Sequence, residues 1–348
     1  MTTMDTRFHA NLTDIRRRVD DYLAELFDTT LRDDWKSADL DEFGFSLLRE
    51  AALGGGKRIR PAFTQWAFLA AGGGVEDDLA IRAGAVFELL HTFALIHDDI
   101  MDEADTRRAM PTLHVSFTER HTTLGLRGSA QRYGENMAIL LGDYTLLVCA
   151  RLAGSLPAQA QQVFYRAATR LMHGQYLDLE TSAMGEWHEE VAATTAELKT
   201  ASYTVEGPLL VGAGLAPRGA ELETFLRCYG RAVGQAFQLR DDLLDLFGNE
   251  AQTGKPVGGD VMQHKATRLL EIARRRASAT ELALLDRSDV GLDAVRAVLH
   301  DCGAVAELEL VIEQLVIEAT SAVANAPMTA HGREMLIDAA RFAGERKW

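Results

Sequence analysis

Apolar residues recur along this chain at steps of three and four, the spacing of one face of a helix. Phe87, Leu90, His91, Ala94 and Asp98 follow that step, and so do Leu222, Phe225, Leu226, Tyr229, Val233 and Phe237. No stretch alternates strictly between apolar and polar positions, so strands are not expected. Ala, Leu, Glu and Arg, which all favour helices, are abundant. The helical step is interrupted at Gly72-Gly73-Gly74, Thr122–Gln131, Met184–Glu190, Pro217–Gly219 and Gly248–Gly259, where Gly, Pro and polar residues gather. The pattern predicts an all-α fold in one domain over residues 1–348, with residues 1–6 disordered at a frayed end.

A chain of 348 residues, 47% hydrophobic, can bury a large core. Its longest apolar run, Met137–Gly154, is broken by Asp143 and Arg151, so it reads as a buried or subunit-interface helix and not a membrane span. Met1–Asn11 is polar and lacks the apolar stretch of a signal peptide. Cys149, Cys228 and Cys302 form neither a CxxC pair nor a zinc spacing. They read as free thiols in a reducing compartment, which gives a cytoplasmic expectation. With 51 acidic residues against 36 basic ones, the net charge of −15 argues against a nucleic-acid partner. His188 is followed by Glu-Glu and lies in no HExxH motif, so a zinc hydrolase is unsupported.

The chemistry concentrates in two matched clusters. Asp98-Asp99-Ile100-Met101-Asp102 ends an apolar helical stretch, and Asp241-Asp242-Leu243-Leu244-Asp245 ends another. Residues four apart share a helix face, so each motif gathers carboxylates whose mutual repulsion calls for cations. Hard divalent ions suit oxygen ligands, and magnesium commonly bridges carboxylates to substrate phosphates. Basic residues stand near both motifs. Gly54-Gly55-Gly56-Lys57-Arg58-Ile59-Arg60-Pro61 offers close backbone approach, a lysine and two guanidinium groups, and arginine grips phosphate with a planar fork. This stretch is not a P-loop, because it lacks GK[ST] and no strand precedes it. Arg107, Arg108, Lys199-Thr200 and Lys255 add further candidates.

Taken together these motifs resemble the trans-isoprenyl diphosphate synthase family, which includes farnesyl and geranylgeranyl diphosphate synthases. The matching stretches run in family order: GGGKRIRP at Gly54–Pro61, LLHTFALIHDDIMD at Leu89–Asp102, RRAMPT at Arg107–Thr112, Gly142-Asp143, GQYLDLE at Gly174–Glu180, Lys199-Thr200, FQLRDDLLD at Phe237–Asp245 and GKPVGGD at Gly254–Asp260. The resemblance implies a single helical bundle around a central cavity, with the two Asp motifs sharing three Mg2+ ions. Asp98, Asp99, Asp102, Asp241, Asp242 and Asp245 would be the metal residues. Lys57, Arg60, His91 and Arg108 would hold isopentenyl diphosphate. Arg107, Lys199, Thr200, Gln238, Lys255 and Lys265 would hold the allylic diphosphate (dimethylallyl, geranyl or farnesyl). One departure is Ala109, where the family often has glycine after the paired arginines.

The implied reaction ionises the allylic diphosphate, attacks the resulting cation with the isopentenyl double bond and removes a proton. Product length in the family is set by bulk on the helix before the first Asp motif. Here Phe93 and Ala94 stand five and four positions before Asp98, with Phe87 deeper; this resembles the geranylgeranyl pattern, with farnesyl diphosphate as the alternative product. An ideal helical projection puts Phe87 and Ala94 on the Asp98 face and Phe93 off it. A terpene cyclase would not need Lys57, Arg60 and a second DDxxD motif, and a non-catalytic synthase subunit should have lost some of these ligands. The resemblance also implies a homodimer.

Overall fold

The structure is a computed structural model that describes residues 3–184, 189–248, 258, 267–285, 287 and 290–345. It is all-α, as the periodicity predicts. Helix α1 (Thr3–Leu26) buries Phe8, Leu12, Ile15, Val19 and Leu23 along one face. It starts at Thr3, and residues 1–2 lie outside the described residues. Phe8 anchors that first stretch, its ring 5.2 Å from Trp66 and 5.4 Å from Phe342. A π-helical turn (Phe27–Leu31) leads to α2 (Arg32–Ser37) and α3 (Glu42–Leu53). Asp41 caps α3, its carboxylate accepting from the Phe43 amide at 3.0 Å, which satisfies one of the orphan donors of a helix start.

Helices α4 (Ile59–Ala70) and α5 (Leu79–Met101) are buried on nearly every face. A helix apolar all round belongs in the middle of a bundle. Gly84 lets the two meet, since a Cβ there would come within 2.6 Å of the Pro61 Cα. A two-residue ribbon follows, β1 (Thr106–Arg107) pairing antiparallel with β2 (Met110–Pro111). It is too short to leave an alternating pattern. Its turn residues Arg108 and Ala109 both have positive φ, 54° and 61°, as two-residue hairpin turns often require. Ala109 therefore adopts the conformation that glycine reaches more cheaply.

Helices α6 (Leu113–Thr123), α7 (Ala130–Ala153) and α8 (Ala158–Met184) wrap this centre, and α9 (Glu189–Ala196) runs into a ten-residue π-helical segment, Glu197–Glu206. After α10 (Gly207–Gly214), the long α11 (Gly219–Phe247) returns through the molecule. Among the described residues, five further helices, 268–276, 279–285, 292–301, 304–324 and 330–345, close one side. One buried cluster joins residues from Phe8 to Ala343, and a second, around Leu243, Leu246, Leu269 and Leu299, holds the end of α11. Helices α5 and α7 are each long and apolar enough to cross a membrane by length and composition. Most of α5 is buried, whereas α7 leaves Leu140 and Leu147 well exposed.

Candidate active site

Both Asp motifs sit at the C-terminal ends of their helices. Asp98 and Asp99 lie in the last turn of α5, and Asp102 is its C-cap. Asp241, Asp242 and Asp245 lie in the last two turns of α11. A helix C-terminus carries partial negative charge, so these are costly places for carboxylates unless cations offset them. At α5 the protein's own cations do so. Arg107 donates to Asp99 Oδ1 from Nε at 2.7 Å and from Nη2 at 2.6 Å, and reaches Asp98 at 3.7 Å. Lys199 Nζ lies 3.3 Å from Asp98 and 2.6 Å from Asp178, and Gln175 donates to Asp98 at 3.1 Å. Burial works against the charge on Lys199, but Asp98 and Asp178 outweigh it and hold the ammonium above the ordinary lysine range. The Arg107 guanidinium is likewise opposed by burial and held up by Asp99 and Asp98.

In the second motif, Asp242 is buried and accepts from Gln238 Nε2 at 2.9 Å. The Asp245 carbonyl accepts from the Gly258 amide at 2.7 Å, which ties Gly258 to α11. Among the described residues, no three His, Cys, Asp or Glu groups stand close enough to cage a metal unaided. Magnesium does not need such a cage, because it commonly takes one or two carboxylates and completes its shell with water and substrate phosphates. The all-carboxylate donor set, placed where the helix ends already call for cations, fits that ion.

The π-helical segment connects the two ends of the site. Gly174 of α8 and Gly234 of α11 press against it, since Cβ atoms there would fall 2.4 Å from the Lys199 amide nitrogen and 2.5 Å from the Ala201 Cβ. It carries Lys199 and Thr200, which the sequence singles out, together with Tyr203 and Thr204, which it does not. Long π-helical runs are rare and often mark functional sites.

The second group of basic residues lies on the other side of Tyr203. Arg60 donates from Nη2 to Tyr203 Oη at 3.0 Å and to Thr204 Oγ1 at 3.2 Å, and its guanidinium lies 4.7 Å from the Tyr203 ring centroid. His91 Nδ1 is 3.2 Å from the same hydroxyl. Arg108 donates to the carbonyls of Gly54 at 3.2 Å and Gly55 at 2.6 Å, so the glycine run and the hairpin turn meet. Lys57 Nζ lies 5.5 Å from the Phe342 ring centroid. Arg58, between these ligands in sequence, has positive φ and is buried against Glu88 at 2.8 Å and Asp20 at 2.7 Å. It shapes the loop and does not point to substrate. Burial and the charges of Arg60, Arg107, Arg108 and Arg58 push His91 well below the ordinary imidazole range, so the ring is neutral at pH 7.

A cavity of about 120 Å³ opens beneath Asp98, walled by Phe93, Ala94, Leu171, Thr200 and Tyr203 among others. Phe93 therefore lines the slot, contrary to the ideal projection. Its ring centroid lies 4.7 Å from that of His97, the planes tilted by 56°, and His97 in turn faces the Ile139 carbonyl at 3.3 Å. Phe87 is fully buried outside the cavity wall, edge-on to Phe164 at 5.4 Å. A larger hollow of about 670 Å³ near Asp28, Arg32 and Arg49 is open to solvent, and its arginines are already paired with Asp28. Lys255 and Lys265, with Arg346 and Lys347, lie outside the described residues. Asp178, Gln175 and Tyr203 are the residues that motif reading leaves unassigned. Asp178 and Gln175 fall inside the GQYLDLE stretch, while Tyr203 has only its position four after Lys199 to mark it.

An apolar slot opening under carboxylates and buried cations suits a substrate with a hydrocarbon tail and a diphosphate head, the kind handled by the all-helical isoprenoid synthases. The family model for polyprenyl synthetase matches residues 45–296. The chain belongs to the polyprenyl synthetase family and is a prenyl diphosphate synthase, a prenyltransferase. It is 32% identical over 297 residues to a geranylfarnesyl diphosphate synthase of Aeropyrum pernix, covering 81% of this chain and 87% of that one. It is 31% identical over 305 residues to an octaprenyl diphosphate synthase of Escherichia coli, covering 84% and 87%. Its fold matches the crystal structure of a geranylgeranyl pyrophosphate synthase of Corynebacterium glutamicum complexed with isoprenyl diphosphate and magnesium, with TM-score 0.85, 31% identity and coverage of 97% and 99%.

Proposed function

We propose that this enzyme condenses an allylic diphosphate (dimethylallyl, geranyl or farnesyl) with isopentenyl diphosphate, giving geranylgeranyl diphosphate as the main product and farnesyl diphosphate as the minor one. The observation that supports the length is the wall beneath Asp98, which small Ala94 and bulky Phe93 both line. Arg107, Lys199, Thr200 and Gln238 hold the allylic diphosphate, with Lys255 and Lys265 assigned to it by motif alone. Lys57, Arg60, His91 and Arg108 hold isopentenyl diphosphate. Asp98, Asp99, Asp102, Asp241, Asp242 and Asp245 hold magnesium, three ions per site. When bound, magnesium supplies charge neutralisation to the departing diphosphate.

The chain's own groups do the rest. Lys199 and Arg107, kept charged by their aspartates, stand where negative charge grows as the allylic C–O bond breaks. The cavity keeps water from the cation. The isopentenyl double bond forms the new C–C bond, and the proton lost in restoring the alkene goes to an oxygen of the released diphosphate. No side-chain base is required.

The exposed apolar residues of α7, with Tyr176 of α8 also exposed, support a homodimer through this surface. The buried cluster from Phe8 to Ala343 supports one domain over the chain. The three free cysteines support a cytoplasmic location. The buried α5 supports an enzyme without a membrane span, and the acidic charge supports one without a nucleic-acid partner. Incubating the pure enzyme with isopentenyl diphosphate, each allylic primer and magnesium, then separating products by length, tests the reading. Twenty-carbon product in excess over fifteen is expected, and a main product of fifteen carbons or well beyond twenty would overturn the length assignment.

A further inference from the structure

Tyr203 stands where the two halves of the site meet, its hydroxyl between the Arg60 guanidinium and the His91 ring. It is buried, and a buried hydroxyl must both accept and donate to be satisfied. It accepts from Arg60 Nη2 at 3.0 Å, and arginine can only donate. Among the described residues, the acceptor left for its own proton is His91 Nδ1, at 3.2 Å. A neutral imidazole that accepts at Nδ1 carries its proton on Nε2. Burial and the surrounding Arg60, Arg107, Arg108 and Arg58 keep the ring neutral, so the tautomer decides what His91 offers to an anion. With the proton on Nε2 the ring donates; with it on Nδ1 the ring presents a lone pair to phosphate oxygens and repels them.

We propose that Tyr203 is a positioning residue that fixes the Nε2–H tautomer of His91, making the ring a donor at the isopentenyl diphosphate half-site. The proposal rests on the assignment of His91 to that half-site. Arg60, Tyr203 and His91 then form one directed chain, N–H to O–H to Nδ1, with the free end aimed at the ligand. The chain crosses between elements, because Tyr203 rides on the π-helical segment while Arg60 and His91 belong to α4 and α5. Tyr203 also lines the cavity beneath Asp98, so the residue that orients the donor for one substrate forms part of the wall for the other.

Tyr203→Phe removes only the hydroxyl. Arg60 keeps its place over the ring, 4.7 Å away, and its bond to Thr204 Oγ1 at 3.2 Å. The test has two readouts. In enzyme labelled with 15N-histidine, with the His91 signals assigned by their loss in His91→Ala, the wild type should show Nε2–H and Tyr203→Phe a mixture of tautomers. In kinetics with isopentenyl and geranyl diphosphates, Tyr203→Phe should raise the isopentenyl KM in proportion to the lost Nε2–H population, about twofold for an even mixture, with the geranyl KM unchanged. His91→Gln supplies an amide donor with no tautomer to fix. In that background Tyr203→Phe should leave the isopentenyl KM unchanged. An Nδ1–H wild type, or an equal Tyr203→Phe effect in the Gln background, would overturn the proposal. His91→Ala leaving the isopentenyl KM unchanged would instead overturn the half-site assignment beneath it.

Discussion

Phe93→Ala should lengthen the product, and Phe87→Ala alone should not. The Phe93 ring lines the slot beneath Asp98, and its removal frees a space close to one five-carbon unit, so the main product should grow by about one unit. Because that ring faces an existing cavity on one side, fewer contacts are lost than in a filled core, and stability should fall by about 1–3 kcal/mol. Phe87 is different. It is fully buried and packed edge-on against Phe164, so truncation should cost about 3–5 kcal/mol and lower the melting temperature by roughly 4–7 °C in a chain of this size. The void would lie behind the wall and not within the slot. The assay is product length by chromatography, paired with a thermal melt of each variant. A longer product from Phe87→Ala and none from Phe93→Ala would refute the assignment of the wall and make Phe87 the floor.

Asp98→Ala and Asp241→Ala should each lower turnover by roughly 10²-fold or more with circular dichroism unchanged, and excess chelator should abolish wild-type turnover until magnesium is restored. Full turnover in any of these conditions would refute the metal-dependent mechanism. Leu140→Glu with Leu147→Glu places two charges on the exposed face of α7 and removes about 3–6 kcal/mol of possible apolar burial. Sedimentation should show a dimer for the wild type, as proposed, and a monomer for the variant; a dimeric variant would locate the interface elsewhere.

The helical class and the Asp motifs were legible because they depend on local spacing. Steps of three and four mark α5 and α11 directly, and a carboxylate cluster at the end of an apolar helix needs no partner to be noticed. The Gly and Pro breaks marked several helix boundaries for the same reason. The ideal projection puts Phe93 off the Asp98 face because it ignores neighbours, whereas the residue lines the slot. The slot lies between α5, α8 and the π-helical segment, so its walls come from more than one helical face. Tyr203 left no pattern at all. Its role depends on contacts with Arg60 and His91, more than a hundred positions away, which only packing creates. Arg58 reads as a third phosphate ligand in sequence, yet its burial against Glu88 and Asp20 turns it inward. Ala109 was noted as a departure, and the positive φ it adopts explains why glycine would sit there at less cost.

The ten residues from Glu197 to Glu206 set the phase between what comes before them and what comes after. In an α-helix each residue advances the side chain by about 100°, and the wider coil advances it less. The four-residue step from Lys199 to Tyr203 inside this coil therefore fixes how far Lys199, beside Asp98, is rotated from Tyr203 and Thr204, beside Arg60. Adding or removing one residue within that step would swing the two groups apart even with every residue identity kept. Substitutions here can be judged one at a time, but insertions and deletions shift the gearing of the whole site.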